Sequence, residues 1–293
     1  MTINFYKALL FCALSCCSLL ALGQTKKSES DDDAKKSGLN ISLNYLSNSV
    51  FMGRADSVRT ATVSPVIKYA FSSGIYLSGG LELIPGRKKN KLDGGDLTLG
   101  YDFDITDGLS GGISYSKLFY SATSTQVSSA VSSTFSGNLT YNIADIISTT
   151  LNADYNINKQ GIAGDIFLNL GVCHDFTFGA NDELSISPTI EANTGTQNFY
   201  DGYLVYRKLK NAKKTTAETA LIQAYTAELS QYRLLDYEFS LPVEYSAGNF
   251  TLKATPIYAV AQNEFKSAAV VKALGLSAQT TVFYFDIGVS LKF

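Results

Sequence analysis

Tryptophan is absent from this chain of 293 residues, histidine occurs once and methionine twice. With His174 as the sole histidine, acid–base machinery built on a histidine base has a single possible centre, and multi-histidine metal sites are excluded. Cysteine is scarce where it would matter. Three of the four, Cys12, Cys16 and Cys17, lie near the start, so the rest of the chain holds only Cys173 and cannot close an internal disulfide. Charge excess is missing as well: a formal net charge of -2 gives no electrostatic reason to expect a nucleic-acid partner.

The main long apolar run, "ALLFCALSCCSLLAL", follows Lys7 and is too short and too poorly flanked to serve as a membrane helix. It closes on Ala21-Leu22-Gly23 before Gln24, a small-x-small cleavage pattern, so residues 1–23 read as an export signal peptide. An alternative takes "ALSC" as a lipoprotein-type site that would put a lipid on Cys16, with Ala13 standing where that motif favours a larger aliphatic residue. The next segment, "QTKKSESDDDAKKSG", is charged and has no apolar period. Residues 24–37 therefore read as a disordered linker, and residues 38–293 as the folded part.

From Leu39 onward apolar residues recur at every second position. Leu39, Ile41, Leu43 and Tyr45 form one such set; Leu97, Leu99, Tyr101, Phe103 and Ile105 another; Phe283, Phe285, Ile287, Val289, Leu291 and Phe293 the last. The positions between are mostly Ser, Thr, Asn, Gly, Asp and Glu, so each run predicts a strand with one apolar and one polar face. The expected strands are Leu39–Phe51, Ala61–Phe71, Ile75–Ile84, Asp96–Ile105, Leu109–Tyr120 and Val131–Ile143, followed by Ile147–Ile157, Ile166–Phe178, Leu184–Thr194, Tyr237–Tyr245, Phe250–Val260 and Thr281–Phe293. That is about twelve strands of the roughly 9–11 residues a tilted strand needs to cross a bilayer.

Connection lengths alternate. Short turns at "SSG", "TDG", Ala144–Asp145, "GAND" and "SAGN" separate longer pieces such as "GRADSVRT", "PGRKKNKLDGG" and residues 197–236. Short and long connections on opposite rims, with an even strand number, predict an all-β fold: an antiparallel transmembrane β-barrel. A water-soluble sandwich also shows alternating strands. The leader, the evenly long strands, the one-sided loops and the aromatics near the short-turn rim (Tyr69, Phe71, Phe103, Tyr141, Phe176, Phe178, Tyr245, Phe250 and Phe293) weigh against it.

The leader, the strand repeat and the terminal "FYFDIGVSLKF" resemble Gram-negative outer-membrane β-barrel proteins of the porin-like kind. The resemblance implies an outer-membrane location with outer-membrane lipid as surroundings, a periplasmic linker, short periplasmic turns and longer extracellular loops. It also implies that the last strand, through Phe285, Ile287, Val289, Leu291 and Phe293, is a signal read by the barrel assembly machinery.

If the apolar parity faces lipid, the other parity lines the lumen. Candidate lumen residues are Lys68, Glu82, Asp96, Asp102, Asp154, Asp165, Glu191, Glu238, Lys253 and Asp286, joined by Asp104, Asp175, Glu244 and Lys292. Acidic groups predominate, so an open lumen favours cations or neutral polar solutes. The same carboxylates could instead pair with lysines and tyrosines to fill a narrow barrel, and both readings stand. The loops carry the opposite sign. Arg87, Lys88, Lys89 and Lys91, and later Arg207, Lys208, Lys210, Lys213 and Lys214, are candidate partners of lipopolysaccharide phosphates.

Within residues 197–236, Thr215 and Glu218 have capping-box spacing, and Ala217, Leu221, Ala224, Tyr225 and Leu229 share a helical stripe, which predicts a short loop helix. Residues 265–276 suggest a second. Pro65, Pro188, Pro242 and Pro256 fall inside expected strands, where a missing N–H implies a bulge or a local gap.

By parity His174 sits on the lipid side near the short-turn rim, and no metal spacing, phosphate loop or nucleophile elbow occurs, so neither an enzyme nor a cofactor is expected. The expected function is a porin-like channel for small polar or cationic solutes. The alternative is a non-conducting barrel acting through its loops in envelope stability, adhesion or partner binding.

Overall fold

Each stretch of two-residue period forms a strand, and the strands pair in sequence order. The computed structural model describes residues 37–55, 59–124, 126–143, 147–159, 164–200, 228–262 and 281–293. The signal peptide, the linker up to residue 36, most of the expected helix at 215–229, the helix at 265–276, and Arg207, Lys208, Lys210, Lys213 and Lys214 lie outside those residues.

The wall begins with β1 (Gly38–Leu46), β4 (Thr62–Ala70), β5 (Ile75–Leu83), β6 (Leu92–Thr106), β7 (Leu109–Tyr120), β8 (Val131–Ile143) and β9 (Ile147–Asn158). It continues with β10 (Asp165–Cys173) and β11 (Phe176–Phe178), β12 (Leu184–Ile186) and β13 (Thr189–Gly195), β14 (Arg233–Ser240) and β15 (Val243–Ala247), then β16 (Phe250–Ala261) and β17 (Thr281–Lys292). Three of these strands are broken in two, so the wall has twelve antiparallel strands. β17 pairs with both β16 and β1 and closes the sheet. At the closing seam Leu39 and Phe293 exchange backbone hydrogen bonds of 2.9 and 2.8 Å. Closure pairs the long strands on both sides, which is the condition for a sheet to reside in lipid.

Side chains sort by parity. Outward positions carry large apolar residues open to the surroundings, Leu97 at 61%, Ile113 at 58% and Phe283 at 59% exposure among them, and far more large hydrophobics are exposed than buried. In water such a surface would drive aggregation, whereas against hydrocarbon it needs no cover. The protein is therefore a transmembrane β-barrel of the bacterial outer-membrane type, turned inside out relative to a soluble domain. Tyr69, Phe71, Tyr141, Phe176, Phe178, Tyr245, Phe250 and Phe293 are exposed on its outer face toward the short-turn end, as an interfacial aromatic girdle requires.

Inside, aromatic rings lie flat over glycines of the neighbouring strand. A Cβ on Gly195 would stand 2.5 Å from Cδ1 of Phe167, so only glycine admits that ring.

Prolines interrupt the wall along one line. The His174 N–H donates to the Pro188 carbonyl (3.3 Å), Ser187 N–H to Pro242 (2.9 Å) and Leu241 N–H to Pro256 (3.1 Å). At each step the reciprocal bond would need a proline N–H and cannot form. The breaks between β10 and β11, β12 and β13, and β14 and β15 follow from this, yet one bond per junction persists and the wall is continuous there. Pro65 faces Leu43 of β1, and the pairing of β4 with β5 lapses between Val63 and Val66.

The expected strand boundaries need three corrections. β1 leaves the wall after Leu46, because the polar run Ser47-Asn48-Ser49 turns inward and carries Val50 and Phe51 away. β6 starts at Leu92 and β14 at Arg233, both earlier than expected, since the wall extends above the apolar period at the long-loop end. There, Asp93, Leu235 and Asp236 are buried inside rather than exposed to water.

Candidate functional site

The candidate site is the lumen. In its short-turn half, Lys68 of β4 lies 3.6 Å from Asp102 of β6, with side chains 41% and 51% exposed, and stacks 3.7 Å over the Tyr76 ring. Water reaches this pair, so the ion pair holds little energy and the ammonium stays available to solutes. Higher up, Thr98 Oγ1 donates to Asp96 (3.3 Å) and shares a 2.8 Å bond with Ser116. Asp154 stands opposite Ser136, Asp286 opposite Thr255, and Lys253 opposite Glu244.

On β13 and β14 the wall becomes acidic. Glu191 and Glu238 are direct cross-strand partners, and the Tyr284 hydroxyl donates to Glu238 Oε1 at 3.2 Å. Next along β14, Asp236 is fully buried, and neither carboxylate oxygen has a hydrogen-bond partner. Opposed carboxylates repel when both are ionised, which makes this the most acidic stretch of the inner wall among the described residues.

Two buried carboxylates organise the long-loop end. Asp93 accepts from Arg87 Nη1 at 2.5 Å, Ser124 Oγ at 2.7 Å and Gln126 Nε2 at 2.8 Å; Gln126 also donates to Glu82 at 2.9 Å. This draws residues 121–124 and 126–130, including a 3-10 turn at Val127–Ala130, over the inner wall. Asp165 accepts from Asn158 Nδ2 (2.7 Å), Thr196 Oγ1 (2.7 Å) and the backbone N–H groups of Asn198 (2.6 Å) and Phe199 (2.8 Å). It caps the helical turn at 198–200 and fixes Phe199 inside the barrel. Nearby, Lys159 lies 4.9 Å over the Tyr120 ring; burial, and then repulsion from Lys117, pushes its amine below the ordinary lysine range.

Between these groups sits a hairpin that belongs to no wall strand. β2 (Val50–Phe51) and β3 (Arg54–Ala55) pair only with each other, joined by Met52 and Gly53 at φ 49° and 70°. Two positive φ values make a type I′ turn, the tightest hairpin connection. Its base packs on the β16–β17 wall, where Val50 and Ala55 meet Ala259, Val282 and Tyr284. Its tip reaches much farther. Phe51 meets Phe167 of β10 edge-on at 5.9 Å and Phe199 at 4.9 Å. Gly53 backs onto Asp236 so closely that a Cβ there would stand 2.7 Å from that of Asp236. Arg54 Nε donates to Gln197 (2.6 Å) and its guanidinium covers the Tyr200 ring at 4.6 Å, while Ser49 Oγ donates to Gln126 at 3.1 Å. The hairpin thus spans the lumen from the β16–β17 seam to β10 and to the turn packed over β5 and β6.

All ten candidate lumen residues lie on the inward parity, but they do different things. Lys68, Asp102 and Lys253 lie in the short-turn half, Asp154 and Asp286 near mid-wall and Asp96 above them, Glu191 and Glu238 form the acidic patch, and Glu82 and Asp165 are engaged in holding loops. Among the loop cations, Lys88, Lys89 and Lys91 are exposed, whereas Arg87 folds back onto Asp93 and is not free to meet an outside phosphate. His174 lies against Phe176, ring centroids 4.2 Å apart, on the outward parity. Parity alone missed Tyr284, Asp236, Asp93 and Phe51. The available signal was an apolar residue on the polar parity, Phe167 in "DIFLNL", which marks a position where something inside must cover it.

No family model matches the sequence, and no curated protein matches it. Solved structures share the architecture. A KdgM porin is 12% identical, covers 87% of this chain and 99% of its own, and superposes with a TM-score of 0.46. A NanC porin is 10% identical over 87% of this chain and 100% of its own, with a TM-score of 0.49. An outer-membrane channel from Pseudomonas putida F1 is 6% identical over 92% and 100%, with a TM-score of 0.48. At these values the likeness bears on neither solute nor mechanism.

Proposed function

We propose that the barrel passes small polar solutes across the outer membrane and favours cations over anions. The observation that carries this reading is the opposed Glu191–Glu238 pair on a lumen wall also lined by Asp96, Asp102, Asp154 and Asp286, against Lys68 and Lys253. A low-dielectric wall bearing an excess of one sign concentrates counter-ions in the passage. The test is planar-bilayer recording under a KCl gradient: the expected reversal potential has the sign of K⁺ selectivity, and silence from folded protein would sink the reading.

A second reading is favoured by the packing of Phe51, Phe167, Phe199 and Leu229 inside the long-loop end: a non-conducting barrel that acts through its loops. Under either, exposed Lys88, Lys89 and Lys91 are suited to lipopolysaccharide phosphates. The outward side chains Phe285, Ile287, Val289, Leu291 and Phe293 at the end of the chain are suited to transient contact with the assembly machinery before they meet lipid.

A further inference from the structure

The hairpin Val50–Ala55 is built like a part with a task. It sits inside the barrel and contributes no bond to the wall ladders, and its Met52 holds a positive φ that β-strand-flanking side chains seldom adopt. We propose that this hairpin is the constriction of the channel and that Phe51 at its tip sets the size of solute that passes. The proposal rests on the channel reading above.

Four observations support it. The hairpin crosses the passage instead of lying on one wall, with its base on Val282 and its tip on Phe167. Phe51 reaches Phe167 of β10 and Phe199 edge-on, within an apolar cluster, a contact that opens by rotation about χ1 without breaking hydrogen bonds. The polar ties of the loop hold its backbone and not the Phe51 ring: Ser47 N–H donates to the Phe285 carbonyl (2.9 Å), Thr60 N–H to Asn48 Oδ1 (3.0 Å), Ser49 to Gln126, and Arg54 Nε, beside the tip, to Gln197 (2.6 Å). The hairpin is thus anchored at both ends while the Phe51 ring, held by apolar contact, blocks the path. Finally, Gly53 is pressed against Asp236, so the tip stands at the edge of the acidic patch. A solute squeezed past Phe51 meets that patch at once, and the size filter and the charge filter act at one level.

Two variants test this. Phe51→Ala shortens the tip. Because Val50 and Ala55 face each other as a pair, residues 50–55 can also be replaced by two glycines without stretching the chain. Folding is verified by heat-modifiable gel mobility. Proteoliposome swelling is then measured with neutral sugars from a pentose to a tetrasaccharide. The expected result is a shift of the exclusion limit to larger sugars in both variants, with disaccharide flux at least several-fold above wild type. A wild type closed to all sugars beside an open hairpin-replacement variant supports the constriction as well. Folded variants with the wild-type exclusion limit would overturn the constriction while leaving the channel standing. Folded wild type and variants that all exclude every sugar and carry no current would remove both.

Discussion

Glu191 and Glu238 face each other directly across two strands of the lumen wall, with the Tyr284 hydroxyl 3.2 Å from the latter. Directly opposed like charges disfavour a sheet by roughly 0.2–1 kcal/mol. Replacing either with Gln should therefore raise the free energy of unfolding in urea by about 0.5 kcal/mol and at the same time reduce cation preference in reversal-potential measurements. A loss of stability in both single variants would show that the pair is not repulsive in the folded barrel.

Arg87 and Asp93 make the opposite case. Their 2.5 Å ion pair is buried on the Asp93 side, so Arg87→Ala leaves a carboxylate without its counter-ion and should cost about 3 kcal/mol in urea unfolding. Lys88→Ala, Lys89→Ala and Lys91→Ala should each stay within about 0.5 kcal/mol of wild type, while weakening binding to lipopolysaccharide micelles. Equal effects of all four on stability would refute the distinction drawn between Arg87 and its neighbours.

Asp165 holds two backbone N–H groups of the 198–200 turn. Asp165→Ala should strand those donors, cost about 2–3 kcal/mol, and make the long-loop end cleavable by external protease where wild type resists. Asp165→Asn, which keeps one acceptor, should fall between the two.

Phe293 donates its N–H to the Leu39 carbonyl and projects its ring outward, 59% exposed. Phe293→Ala keeps the backbone bond, so stability of inserted protein should change by no more than about 0.5 kcal/mol. Delivery to the membrane should nonetheless drop several-fold, measured as folded barrel per unit of protein synthesised. Normal delivery would show that the ring is not read during assembly.

The wall was legible in the sequence because water and lipid lie on opposite sides of it. A strand such as Leu97–Phe103 cannot satisfy both solvents without alternating, and a one-residue slip would reverse every side chain. The interior of the long-loop end obeys another rule. There the inner face meets protein instead of water, so Phe167 is apolar on the polar parity, while register shifts beside Leu235 and between Val131 and Ser133 turn those two apolar residues inward against their strands' period. Phe51 looked like the end of β1 because Val50 and Phe51 continue its composition. What separates them is the long-range packing of that ring on Phe167 and Phe199, which local pattern does not encode. Arg87 was placed outside for a similar reason: a cationic loop residue reads as solvated until its buried partner is known.

The staircase of Pro188, Pro242 and Pro256 gives the barrel an uneven stiffness. Apart from the lapse at Pro65 and scattered bulges the hoop is laced by paired backbone bonds, but across four adjacent strands it is held at one level by single stitches. Parting the wall on that quadrant, which holds Glu191 and Glu238 on its inner side, therefore breaks one backbone bond per junction at that level. Local opening of the wall, followed by amide exchange, is therefore expected first at Pro188, Pro242 and Pro256.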